Sequence, residues 1–241
     1  MRRERAQILP SDDDPAITFS MAIVETFRMV LAPPHPAGRP FILGGVAVLL
    51  LGLAIGAWLA WLGLIFTLFC LYFFRDPERV PPPRPGMILA AADGRVVLVG
   101  PAVPPPELGL GASPRPRVAI FLSVLDVHVN RVPVSGTVTR IAYRHGKFLN
   151  ASLDKASEDN ERNALAIRLP DGREMAVVQI AGLIARRIVC DVRHGDAVRA
   201  GDRFGIIRFG SRTDLYLPEG VEPLVAVGQI MIGGETVVAR L

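Results

Sequence analysis

One run of sequence constrains this chain more than any other: the 34 residues from Phe41 to Phe74 carry no charge and are bounded by Arg39 and Arg75. Leu, Ile, Ala, Phe and Trp fill it, which marks it as membrane sequence. As one helix it would reach ~51 Å at ~1.5 Å per residue, against ~30 Å of hydrocarbon. Gly52, Gly56 and Gly63 offer places to break, so the pattern predicts two short spans or a re-entrant hairpin with both flanks on one side. Arg28 and Arg39 before the run, with Arg75, Arg79 and Arg84 after it, put that side in the cytoplasm, at the face of the cell membrane. The run starts too deep in the chain, after Asp12, Asp13 and Asp14, to resemble a cleaved leader. Ahead of it, Ile17 to Leu31 patterns as an amphipathic helix suited to lying on the bilayer.

Beyond the run, Val80 to Gly86 (VPPPRPG) is a stiff extended connector, because proline fixes its own φ and keeps its predecessor out of the helical region. The predicted division is therefore a membrane-anchor region, 1–74, and a second domain, 75–241. Short apolar runs punctuated by glycine follow: Val96 to Val99, Val118 to Leu122, Thr137 to Tyr143, Leu165 to Leu169, Met175 to Ile180, Ile184 to Val189, Phe204 to Phe209 and Leu224 to Ile232. That is a mainly β pattern, a barrel-sandwich-like domain of small sheets behind an N-terminal α-helical anchor. Pro101 to Pro116, with six prolines in sixteen residues, is expected to be a loop. Its Gly109-Leu-Gly111 is no dinucleotide fingerprint, since Pro114 takes the third glycine's position and no helix follows. Asn150 to Asn163 is the most polar stretch and reads as a solvated loop or short helix. Gly195-Asp196 and Gly201-Asp202 repeat at six residues, a spacing found at turns in the small barrels that carry biotin or lipoate, but no carrier lysine stands there.

The common catalytic signatures are missing: there is no G-x-S-x-G, H-E-x-x-H or G-x-x-x-x-G-K, and four histidines never come as H-x-H. Cys70 and Cys190 stand far apart, so neither a disulfide framework nor a zinc ribbon is expected, and no metal site is predicted. The net charge of +4 suits an anionic membrane surface, and nucleic acid is not an expected partner. Arg outnumbers Lys 25 to 2, so amine-based covalent chemistry could draw only on Lys147 and Lys155. What remains is Gly210-Ser211, directly after an apolar strand. A serine that follows glycine can attack the preceding carbonyl where the backbone is strained, because glycine has no Cβ to obstruct the approach. The resulting ester can eliminate, cutting the chain and leaving a ketone at the new N-terminus, which does the work of an electron-sink cofactor without a lysine.

RFGSRTDLYLP around Ser211, GDAVRAGDRFG before it, DVHVNRVPVSG at Asp126 to Gly136, GKFLNASLDKASEDNERN at Gly146 to Asn163, FFRDPER at Phe73 to Arg79 and ADGRV at Ala92 to Val96 together resemble the short, prokaryotic type of phosphatidylserine decarboxylase proenzyme. The resemblance spans roughly residues 70 to 241 in collinear order. It implies cleavage between Gly210 and Ser211 into chains 1–210 and 211–241, conversion of Ser211 to a covalent pyruvoyl group that forms a Schiff base with the substrate amine, and decarboxylation of phosphatidylserine to phosphatidylethanolamine. It also implies partners: a phospholipid substrate, the membrane, and the two chains of one proenzyme, with a homo-oligomer left open. Longer members use an Asp-His-Ser relay. Asp93 matches the aspartate and His128 the first of two family histidines, but the second stands here as Arg131, a poor base, so the resemblance assigns no relay histidine. Taken alone, Asp93-Gly94 can also be read as a hairpin turn and His128 as a packed strand histidine, the lesser reading in each case. Lys155, Asn160, Arg162 and Asn163 are candidates for reading the head group by charge and hydrogen bonds. The rival reading from another class is a membrane-tethered biotinyl- or lipoyl-like carrier module; within the enzyme class, archaetidylserine is an alternative substrate.

Overall fold

The computed structural model describes residues 32–146, 160–182, 187–209 and 211–241. The uncharged run forms two antiparallel helices, α1 (Arg39–Ile55) and α2 (Ala57–Phe73), broken at Gly56. Of the three predicted breakpoints, Gly56 is the one used; Gly52 and Gly63 instead let the helices touch. A Cβ on Gly52 would run into the Ala60 backbone, and one on Gly63 into the Leu49 backbone, so only glycine allows this approach. Leu50, Leu53, Trp58, Trp61, Leu62 and Ile65 face outward, more than half exposed. Residues Pro36–Ile55 are long and apolar enough to cross a membrane. Each 17-residue helix reaches ~26 Å, a little short of ~30 Å of hydrocarbon.

The hairpin is closed at its foot and fastened to the rest of the protein. His35 N donates to Phe74 O at 2.7 Å, and Asp76 N to Pro33 O at 3.0 Å. Arg75 donates from Nη1 to Tyr72 O and from Nη2 to Leu125 O. Phe73 and Phe74 are fully buried, in one cluster with Cys70, Val127, Val129 and Ile206. The last turn of α2 is thus part of the β core, and the apolar packing runs across position 74, where the sequence pattern put a boundary.

The β region is built on an antiparallel eight-stranded sheet that curls into a half-barrel. Its order is β12 (Ile230–Met231), β2 (Gly94–Ala102), β3 (Arg115–Leu122), β11 (Ser211–Tyr216), β7 (Glu174–Ala181), β6 (Arg162–Arg168), β5 (Gly136–Arg144), β9 (Ala197–Val198). A three-stranded sheet, β4 (Val129–Arg131), β10 (Arg203–Arg208) and β8 (Arg187–Cys190), and a pair, β1 (Met87–Leu89) with β13 (Val237–Arg240), complete it. The main core lies on the concave face, where Val118, Ile120, Leu122, Leu165, Val177 and Leu215 meet. On the convex face Leu108 and Leu110 cover Ala164, Ala176, Val178 and Tyr216.

The mainly β class with a helical anchor is what the periodicity predicted. Two predicted boundaries shift. The proline-rich segment is a loop only in its middle, because Pro101 pairs with Pro116 and Ala102 with Arg115 at the ends of β2 and β3. From Leu224 to Ile232 only Ile230–Met231 is strand; a turn at Ala226 to Gln229, with Gly228 at φ 94°, breaks the rest and leaves Leu224 and Val227 exposed. The Gly-Asp repeat forms two equivalent turns flanking β9: Asp196 Oδ2 accepts from Arg193 N, and Asp202 Oδ2 from Arg199 N.

Candidate active site

Ser211 opens β11, the strand at the middle of the large sheet, and pairs with Leu122 of β3 on one side and Ala181 of β7 on the other. Alternation along the strand sends Ser211, Thr213 and Leu215 to the concave core and Arg212, Asp214 and Tyr216 to the convex face. Ser211 is fully buried, and its Oγ has no hydrogen-bond partner among the described residues. Gly210 lies outside the described residues. Immediately before it, Phe209 has φ 63°, the sole non-glycine positive φ among them. A bulky residue held in the left-handed region costs about 1–3 kcal/mol, offset here by packing. The Phe209 ring lies 4.6 Å from that of Phe73 and 5.9 Å from that of Phe41, so the foot of the helical hairpin holds the turn that leads into Ser211.

His128 shares that support. Its ring is completely buried, 4.2 Å from the opposite partner of Phe209, Phe73. Nδ1 lies 2.9 Å from the Asp126 carbonyl oxygen, which can only accept, so Nδ1 carries the proton and Nε2 the lone pair. Nε2 has no partner among the described residues. Burial pushes the imidazole pKa down from 6.5 to about 4, against a smaller upward pull from the Asp126 carbonyl and carboxylate. At neutral pH His128 is therefore an uncharged ring with a free, buried lone pair.

The concave face beside Ser211 is lined by amides. Thr213 pairs with Gln179, and Gln179 with Asn163. Asn163 Nδ2 donates to Gln179 Oε1 and Gln179 Nε2 to Asn130 Oδ1, both at 2.8 Å, which leaves Asn130 Nδ2 and Thr213 Oγ1 buried with no hydrogen-bond partner among the described residues. Asn160 donates to the carbonyl of Ala181, the cross-strand neighbour of Ser211. Of the predicted head-group readers, then, Asn160 bonds to the cross-strand neighbour of Ser211, and Asn163 joins the amide row two strands away. Arg162 turns to the convex face, where Glu107 accepts from its Nε and Nη2 at 2.9 and 2.6 Å. Lys155 lies outside the described residues. Asn130, Gln179 and Thr213 were not singled out from the sequence; a lone glutamine inside the apolar strand Met175 to Ile180 was the available signal.

Asp93 is engaged by other partners. Its Oδ2 accepts from Arg79 at 2.6 Å and its Oδ1 from Gly233 N at 2.8 Å, and the structure does not join it to His128. Burial raises its pKa, only partly opposed by Arg79. Gly94 next to it has φ 140°, and a Cβ there would collide with the Phe121 carbonyl. Arg131 donates to Asp76, Pro77 O and Gly201 O. Together with Arg203, which reaches Asp76 and Glu78, Asp93 and Arg131 clamp the segment Phe73 to Arg79 onto the β domain.

Comparison with known proteins bears on what this arrangement is for. The family model described as phosphatidylserine decarboxylase matches residues 66–239. The chain belongs to the phosphatidylserine decarboxylase family. It is 76% identical over 221 residues to the phosphatidylserine decarboxylase proenzyme of Granulibacter bethesdensis, covering 92% of this chain and 91% of that one. To the proenzymes of the same name from Gluconacetobacter diazotrophicus and Gluconobacter oxydans it is 64% and 62% identical, over 92% of this chain and the whole of each relative. The matched span takes in α2 from Phe66 onward together with every described strand but the last residue of β13, so the foot of the hairpin is family structure rather than an appendage. Membership of a decarboxylase family sets aside the carrier-module reading of the Gly-Asp repeat.

Proposed function

We propose that this protein is a proenzyme that cuts itself between Gly210 and Ser211 and then decarboxylates phosphatidylserine to phosphatidylethanolamine at a membrane surface. The observation that carries the reading is the buried, unpartnered Ser211 hydroxyl two residues after a phenylalanine held at φ 63°. A nucleophile without a hydrogen bond and a backbone out of its relaxed basin are both released by attack on the Gly210 carbonyl. In that step Ser211 Oγ bonds to the carbonyl carbon, the Gly210–Ser211 C–N bond breaks, and the amide becomes an ester with a free serine amine. His128 Nε2 takes the hydroxyl proton; being neutral and unpartnered, it needs no carboxylate behind it, and the Asp126 carbonyl fixes its tautomer. Elimination of the ester frees the carboxylate of Gly210, and hydrolysis of the dehydroalanine releases ammonia and leaves a pyruvoyl group.

That group supplies a ketone that condenses with the substrate amine and takes up the electron pair left when carbon dioxide departs. The side chains around Ser211 fit such a group: the face is closed, and Asn130 and Thr213 offer hydrogen-bonding atoms left without partners. In this reading Asn130, Thr213, Asn160 and Asn163 orient the serine head group, and Asp93 positions the Phe73 to Arg79 clamp. The small chain stays in place after the cut, because β11, β12 and β13 each pair with strands of the large chain. The closed helical hairpin and its outward leucines and tryptophans support insertion from one side, the cytoplasmic one, with the site held at head-group level. Intact mass of the purified protein tests the reading: two chains split at 210/211, the smaller blocked at its N-terminus, are expected, with Ser211→Ala remaining one inactive chain. A stable uncut wild-type chain refutes it.

A further inference from the structure

A cleft of about 460 Å³ opens between the foot of the helical hairpin and the face of β8 and β10. Arg187 and Arg208, cross-strand partners in those two strands, both line it. Neither has an ion-pair or hydrogen-bond partner among the described residues, and Arg208 Nε is buried without one. The other charge in the lining is Asp191, half exposed, with its carboxylate 3.7 Å from His35 Nε2. Burial keeps His35 below its ordinary pKa, so it is neutral near pH 7 and the cleft carries a net charge of +1.

Two features say what such a cleft holds. First, the Arg208 guanidinium lies over the Phe41 ring, 5.3 Å from its centre, in the first turn of α1. That is the level at which the hairpin's apolar surface begins, hence the level of lipid phosphates. Second, Arg208 is three residues upstream of Ser211, so its Cα stands at most ~11 Å from that of Ser211. In a serine phospholipid the phosphorus is four bonds from the amine. We infer that Arg187 and Arg208 bind the phosphodiester of the substrate lipid, while its amine lies at the Ser211 carbon. Two guanidiniums give a fork for two phosphate oxygens, and the low polarity at the hairpin foot strengthens the contact. The inference rests on the decarboxylase reading and adds to it the residues, Arg187 and Arg208, that read the phosphodiester.

The test uses the full chain in detergent, with dihexanoyl phosphatidylserine kept monomeric below its micellar concentration and long-chain phosphatidylserine in mixed micelles. Arg187→Gln and Arg208→Gln should each raise KM for the monomeric lipid about tenfold or more, with kcat within about threefold and self-cleavage complete. Glycerophosphoethanolamine should inhibit the wild type competitively and the variants far less. Should Arg208→Gln impair the nearby cut, Arg187→Gln, distant from it in sequence, carries the test alone. Unchanged KM for the monomeric lipid overturns the inference, and so does a loss confined to micelles, which would make the cleft a site for bulk anionic lipid. Wild-type protein that neither splits nor releases carbon dioxide refutes the decarboxylase reading instead.

Discussion

Lowering the pH acts on this protein through His128, and both the sign and the size of the effect follow from its burial. In the unfolded chain the imidazole takes a proton near 6.5; in the folded protein it resists until about 4. The unfolded state therefore binds more protons than the native one between those values, so the stability His128 contributes is complete above pH 6.5 and lost as pH falls toward 4. At roughly 1.4 kcal/mol per pH unit the loss at pH 4 is about 3 kcal/mol. For a chain of this size that is about 6–12 °C in Tm. Thermal melts of uncut Ser211→Ala protein in detergent, at pH 7.5 and pH 4, should fall by that much more than the same melts with His128→Asn added, since asparagine can still donate to the Asp126 carbonyl but does not titrate. In the proposed mechanism the same ring sets the pH profile of the cut. In pulse-labelled protein from cell-free translation, the rate should stay flat down to about pH 5 and drop about tenfold per pH unit below 4. Equal Tm losses in the two proteins would refute the buried neutral ring, and an inflection of the cleavage rate near 6.5 would refute its role as the base.

On the convex face, Asp214 accepts from Arg212 at 2.7 and 2.8 Å and lies 3.7 Å from Arg117, all three buried, so Asp214→Leu should cost about 3–5 kcal/mol and Arg212→Met in the same chain should recover part of it by thermal melt. Phe73→Ala should lose about 3–5 kcal/mol and slow the cut as well, because the ring backs both Phe209 and His128; normal cleavage kinetics in a destabilised protein would separate the two. For the same reason a chain starting at Phe69 should still cut itself, whereas one starting at Arg75 should not, as read by gel. Decarboxylation should withstand chelators and pyridoxal phosphate scavengers and be abolished by hydroxylamine, with carbon dioxide release as the measurement; loss to a chelator would indicate a metal mechanism.

The anchor and most of the β elements were legible because their signals are local. A charge-free run interrupted by Gly56 and apolar stretches between glycines follow from hydropathy and backbone freedom over a few residues, and Gly210-Ser211 stands out by residue chemistry alone. The strand that carries Ser211 was not legible. Ser211 to Tyr216 is polar and shows no apolar alternation, yet it runs through the middle of the large sheet, because Arg212 and Asp214 neutralise each other on one face while the amide row covers Thr213 on the other. Asn160 to Asn163 likewise reads as solvated and is buried, since its partners Ala181, Gln179 and Glu107 come from elsewhere in the chain. Burial of a polar residue depends on a partner distant in sequence, and a single chain read in order does not name that partner. The surroundings of Asp93 and His128 divide on the same ground: each matched a family position, but only the fold gave Asp93 to Arg79, set His128 against Phe73 with its Nε2 unpartnered among the described residues, and brought the foot of the helical hairpin against the turn that leads into Ser211.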